Sequence, residues 1–246
     1  MRTKCTIGNV NITVGKWWSL GTSSIAHRNA PCPCSSMNNL LTKENFKQCE
    51  ICAYHESGHI LFAYLCGYKC REAQLIDEGN ENGFTSYAVI DYGDDSYYAS
   101  KFTNGDNAVD FFKCLALGEK LQAMEVARRI ARIYLGGSVA AAVFNNAGNV
   151  QIPLPMQIDY MDLVRVEFIH YIIKELSVDQ EENFIEHGLQ DALYTLSNIN
   201  IWDTIVDLAT RLLHSNHLDK NDIEECLEEH GIIYDGESAI NKMMNK

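Results

Sequence analysis

Residues 53–65 read Ala53-Tyr54-His55-Glu56-Ser57-Gly58-His59-Ile60-Leu61-Phe62-Ala63-Tyr64-Leu65. His55, Glu56 and His59 make this run an HExxH. On a helix, positions i and i+4 share a face, so both imidazoles can point at one Zn²⁺. Glu56 then falls beside the ion, where a carboxylate can take a proton from an activated water. In a chain of 246 residues with 8 His and 18 Glu, about 0.02 such motifs are expected by chance.

The surroundings predict a helix over residues 43–66. Thr42 is a candidate N-cap, no Pro follows before Pro153, and Gly67 is a plausible stop. Ile51, Tyr54, Gly58, Leu61 and Leu65 recur at spacings of 3 and 4, as on a buried helix face. The bland alternative is a core helix whose two histidines are merely hydrogen-bonded. A buried His-Glu-His set without a metal is costly to desolvate, which weighs against it.

Outward from this helix, residues 1–42 form an extension and linker. Within them, Cys5 to Val14 partly alternates polar and apolar, as a strand or hairpin does, and 29–39 is rich in Pro, Ser and Asn. After Gly67 come two β-type runs, 73–76 and 84–90, divided by a turn-rich stretch at 77–83. Residues 91–107 are polar and Gly-containing and read as a loop. Helical spacing then recurs over 119–145, with a break or bend expected near Gly136-Gly137, and over 160–176, 179–197, 201–215 and 219–230. Asp219 to Asp222 looks like a capped start. The expected fold is mainly α (α+β), with a small sheet after the HExxH helix, a domain over 43–232 and a tail over 233–246.

The net charge of −13 argues against nucleic acid and anionic membranes as partners. No signal peptide is visible. The most apolar segment, 126–144, carries Arg128, Arg129 and Arg132, so no membrane span is expected and a cytoplasmic protein is the default. The nine cysteines then read as reduced thiols. Cys32-Pro33-Cys34 and Cys49-Glu50-Ile51-Cys52 form CxC and CxxC pairs that could hold a structural Zn²⁺. Against that, Cys49 and Cys52 fall on the HExxH helix.

A catalytic zinc needs a third ligand and an open position. Phe62 and Leu65 stand where a HExxHxxGxxH site would carry Gly and His, so that class is excluded. Glu119 and Glu125 remain candidates by residue type, as does an Asp opening a later helix.

Ala53-Tyr54-His55-Glu56-Ser57-Gly58-His59 resembles the AYHEAGH signature of the FtsH-type zinc peptidases, the peptidase part of the AAA proteases. Four further blocks follow in that family's order. Gln74-Leu75-Ile76 and Gly83-Phe84-Thr85-Ser86-Tyr87 are similar to its strand pair. Tyr134-Leu135-Gly136-Gly137-Ser138-Val139-Ala140 is similar to its LGGRAAE helix. Asp162-Leu163-Val164-Arg165-Val166 resembles the segment whose Asp is the third ligand, and Leu218 to Ile223 its closing helix. The resemblance covers roughly residues 44–230 and implies His55, His59 and Asp162 as zinc ligands, with Asp159 the next candidate. It implies Glu56 as catalytic base, and the strand at Phe84, Thr85 and Ser86 as a substrate-binding edge. It also implies a homo-oligomer or a separate ATPase partner.

The departures are specific. No P-loop or ATPase module is present. An Arg and two Glu of the Gly-Gly helix are replaced, and the interval from His59 to Asp162 is longer than the family's usual one. The expected function is an ATP-independent zinc metallopeptidase acting on peptides or unfolded protein. The alternative is a non-catalytic, peptidase-like binding or regulatory module.

Overall fold

The computed structural model describes residues 3–7, 10–14, 43–77, 84–104, 108–150, 158–176, 183–232 and 234. The chain divides into two compact units, residues 1–30 and 31–246. The first contains an antiparallel hairpin of β1 (Thr3–Ile7) and β2 (Val10–Val14), with Cys5 opposite Ile12. Thr42, the 29–39 linker and the 233–246 tail, except Tyr234, lie outside the described residues.

The second unit is mainly α with a three-stranded antiparallel sheet. Its axis is helix α1 (Lys43–Leu65). Ile60, Leu61 and Phe62 on successive positions are all buried, so the second half of α1 is covered on every side. Burying each such side chain stabilises the fold by about 1.5–3 kcal/mol. The helix stops at Gly67, whose φ of 81° is open to glycine without strain. Tyr68 N–H bonds Ala63 O at 2.8 Å and Gly67 N–H bonds Tyr64 O at 3.0 Å, the two bonds of a Schellman ending.

Strands β3 (Lys69–Asp77) and β4 (Phe84–Asp91) follow as an antiparallel pair, with Gln74 opposite Tyr87 and a bulge between Cys70 and Glu72. A short third strand, β5 (His217–Asp219), pairs with the other side of β3, placing Leu218 opposite Ala73. The order β4-β3-β5 leaves β4 at an edge of the sheet among the described residues.

The polar stretch expected as a loop at 91–107 is different in the structure. A 3₁₀ turn at Gly93–Asp95 leads into α2 (Ser96–Asn104), and α3 (Ala108–Lys113) follows. Aromatic burial makes this segment helical. Ala99, Phe102 and Phe112 are buried, and the Phe102 and Phe112 rings stack at 4.7 Å.

Helix α4 (Leu117–Asn145) also departs from expectation, because it runs unbroken through Gly136-Gly137. These glycines let α1 approach. A Cβ on Gly58 would lie 2.5 Å from Gly136 O, and one on Gly137 would lie 2.5 Å from His59 Nε2. Close packing therefore offsets the helix penalty of about 1 kcal/mol per glycine. Glu119, a candidate ligand by residue type, instead accepts from Ala116 N–H at 2.9 Å and caps this helix.

Four more helices follow among the described residues: α5 (Tyr160–Leu176), α6 (Phe184–Leu196), α7 (Ile199–Ser215) and α8 (Lys220–Glu229). α5 buries Val166, Ile169, Ile172 and Ile173 along one stripe. Asp219 caps α8 by accepting from Asn221 and Asp222 N–H, while Asp222 Oδ2 accepts from Asp219 N–H at 3.0 Å. No helix among the described residues is long and apolar enough to cross a membrane.

Candidate metal centre

Helix α1 lies between α4 and the sheet, and α5 packs against α4. This places the first turn of α5 opposite the HExxH face. Asp162 Oδ2 sits 3.2 Å from His55 Nε2 and 3.4 Å from His59 Nε2, and the two imidazole nitrogens are 2.9 Å apart. Donors at about 2.0–2.2 Å from a tetrahedral zinc are about 3.3 Å from one another. The three atoms thus form one face of a tetrahedron of the right size, and a His₂Asp donor set suits Zn²⁺.

Further contacts aim these donors. His59 Nδ1 lies 2.8 Å from Ile133 O on α4, which fixes the proton on Nδ1 and leaves the Nε2 lone pair for a cation. Ser138 Oγ donates to Asp162 Oδ2 at 3.4 Å and accepts from Asp159 N–H at 3.0 Å. The serine in the Gly-Gly helix therefore links α4 to the start of α5. Asp159 has a different role from Asp162. Its Oδ1 accepts from Met161 N–H at 2.9 Å and from Asp162 N–H at 3.4 Å, so it caps α5. Glu125 is also elsewhere, paired with Arg129 at 3.6 Å.

Electrostatics follow from burial and proximity. Burial works to raise the Asp162 carboxyl, but hydrogen bonds and charge from His55 and His59 hold it well below the usual carboxylate range. Burial works to lower His59, and the Asp162 carboxylate outweighs it, moving the imidazole up to about 9. Access comes from the His55 side, which keeps 17% side-chain exposure against 4% for Asp162.

Glu56 is buried beside the histidines, and Ser86 Oγ on β4 donates to its Oε1 at 2.7 Å. The site opens into a cleft of ≈ 1410 Å³ between α1, β4, α4 and α5. Thr85 and Ser86 line it, as do Tyr134 and Arg165, whose guanidinium carbon lies 5.0 Å from the Tyr134 ring centre. The Phe84 side chain lies outside the described residues.

Of the cysteine set, only Cys49 and Cys52 fall among the described residues. Cys49 is in the core of α1, and Cys52 sits by the cleft with Gln48 Nε2 3.7 Å from its Sγ. Burial pushes the Cys52 thiol up. Cys32 and Cys34 lie outside the described residues. Ser138, Arg165 and the Ile133 carbonyl were not anticipated from sequence. Arg165, at i+3 from Asp162, carried a readable helical signal, whereas a backbone carbonyl carries none. No protein-family model matches the chain, and no curated protein matches it.

Proposed function

We propose that the chain is a zinc metallopeptidase of the FtsH-peptidase kind, hydrolysing peptide bonds in extended or unfolded polypeptides without ATP. The observation that carries this reading is the convergence of His55, His59 and Asp162 with a buried Glu56 beside them. The order of sequence blocks, from the HExxH to Leu218–Ile223, supports it further. Bound zinc supplies a Lewis acid that polarises the scissile carbonyl and makes a water acidic enough to attack at neutral pH.

The chain's own residues do the rest. Glu56 takes the proton of the attacking water and delivers it to the leaving amine. Ser86 holds one carboxylate oxygen and so orients the other. Edge strand β4 offers backbone groups along the cleft, to which an extended substrate adds as a further strand. Arg165 contributes positive charge at the cleft wall, one turn from Asp162. An unfolded chain satisfies this geometry without a motor. Folded substrates would need a separate ATPase to feed them in.

The test is cleavage of casein by the zinc-loaded protein and its Glu56→Gln variant. Chelator-sensitive cleavage that Glu56→Gln abolishes, with metal retained, supports the peptidase. Stoichiometric metal without cleavage favours a peptidase-like binding module.

A further inference from the structure

Helices α7 and α8 bring together a second set of ligand-type side chains, none of which lines the cleft. Asp207 Oδ2 on α7 lies 3.4 Å from Cys226 Sγ on α8 and 3.3 Å from His230 Nε2 at that helix's C-cap. All three donor atoms lie within 4.8 Å of one another. Cys226 and His230 are four residues apart, so the helix presents them on one face, as it does the histidines of α1.

We propose that Asp207, Cys226 and His230 form a second divalent-metal site, for zinc, that ties α8 to α7. The donor set is one thiolate, one imidazole and one carboxylate, a combination suited to Zn²⁺. Zinc bonds of about 2.3 Å to sulfur and about 2.0–2.2 Å to nitrogen and oxygen set tetrahedral edges of about 3.3–3.6 Å. The two Asp207 separations are of this size. Charge also balances, because a thiolate and a carboxylate neutralise a divalent cation.

Arg211 contacts both oxygens of this carboxylate. Its Nε approaches Asp207 Oδ1 at 3.4 Å and its Nη2 approaches Oδ2 at 3.3 Å, while Nη2 also bonds Glu229. A metal on Oδ2 would displace the Nη2 contact and leave Arg211 on Oδ1 through Nε, where an outer hydrogen bond orients a ligating carboxylate. The rival reading is a plain network in which Asp207 accepts from Arg211, Cys226 and His230. In that network a buried thiol is a weak donor. Cys226 is buried, whereas Asp207 and His230 keep partial exposure, so a fourth position can face water.

Cobalt(II) titration of the full chain tests this inference. A thiolate-to-cobalt charge-transfer band reports sulfur ligation, which the His55–His59–Asp162 site cannot give. The band should appear together with a second equivalent of metal. Cys226→Ser should remove both, while His55→Ala/His59→Ala should keep both the band and one equivalent. If Cys226→Ser fails to fold, by circular dichroism, His230→Ala replaces it and should weaken cobalt binding by about 10–100-fold. No band, a band that survives Cys226→Ser, or unchanged binding in His230→Ala would overturn the site. These readouts do not depend on whether the protein cuts casein.

Discussion

His55 Nε2 and Asp162 Oδ2 lie 3.2 Å apart, although one belongs to the central helix and the other to the first turn of α5. Asp159, one turn earlier, spends its carboxylate on the helix cap instead. The two acids should therefore separate cleanly on mutation. Asp162→Asn should weaken zinc binding by about 100-fold or more, because a charged ligand is lost. Asp159→Ala should cost about 1 kcal/mol of stability as a lost cap. Its zinc binding should be far less affected. Chelator competition and thermal melts measure the two effects, and equal loss of metal in both variants would refute the assignment.

Glu56 and Ser86 should separate in the same way. Glu56→Gln should keep zinc and lower kcat by about 10²–10⁴-fold, the range of general acid–base catalysis. Ser86→Ala removes the 2.7 Å bond that orients Glu56. It should lower kcat by about tenfold, as one lost charge-assisted hydrogen bond implies, with metal content unchanged. Steady-state kinetics on a fluorogenic casein would read both, and a Ser86→Ala variant with wild-type kcat would argue against the orienting role.

The legible and illegible parts of this fold differ for physical reasons. The α1 helix was readable because its spacing, its glycine stop and its HExxH are all local signals. Asp162 could be favoured over Asp159 only through resemblance, since both are acids at one helix start. The segment at 91–107 misled because Gly, Asp and Ser masked Tyr98, Ala99 and Phe102, whose burial is decided by partners on α3 and elsewhere. Gly136-Gly137 misled for the opposite reason. Propensity counts against glycine, but here only a missing Cβ lets α1 reach α4. Strand β5 is three residues long and pairs with β3 across more than 100 residues of chain, which no local pattern reveals.

That close approach gives a third prediction. Gly137→Ala would place a methyl group against the His59 ring, 2.5 Å from its Nε2. The site should yield by displacing the imidazole. Overpacking of this kind costs about 1–3 kcal/mol, and zinc affinity should fall by tenfold or more. Gly118→Ala in the same helix is the control, because nothing lies within 4 Å of its would-be Cβ. It should leave zinc binding unchanged and raise stability by up to about 1 kcal/mol. A Gly137→Ala protein with wild-type zinc affinity would contradict the packing argument.

Proton competition for His59 and Asp162 should make zinc binding depend on pH with a definite sign. His59 is raised to about 9 in the metal-free fold. Its pairing with Asp162 therefore stabilises that fold fully below about 6.5, the unfolded value, and is lost as pH rises through about 9. Asp162 is lowered, so its contribution is present above about 3.8 and is lost as pH falls below it. The metal-free protein should gain most from the pair between about pH 4 and pH 6.5. Zinc reverses the upper limb, because it must displace the His59 proton below about pH 9. Affinity should thus rise with pH through neutrality, by up to about tenfold per unit. Calorimetric titration near pH 7 in buffers of different ionisation enthalpy should show release of about one proton per zinc from this pair. Subtracting the titration of His55→Ala/His59→Ala isolates it from any second site. Binding without proton release would show that His59 is neutral before the metal arrives, and that Asp162 does not hold the charge assigned to it.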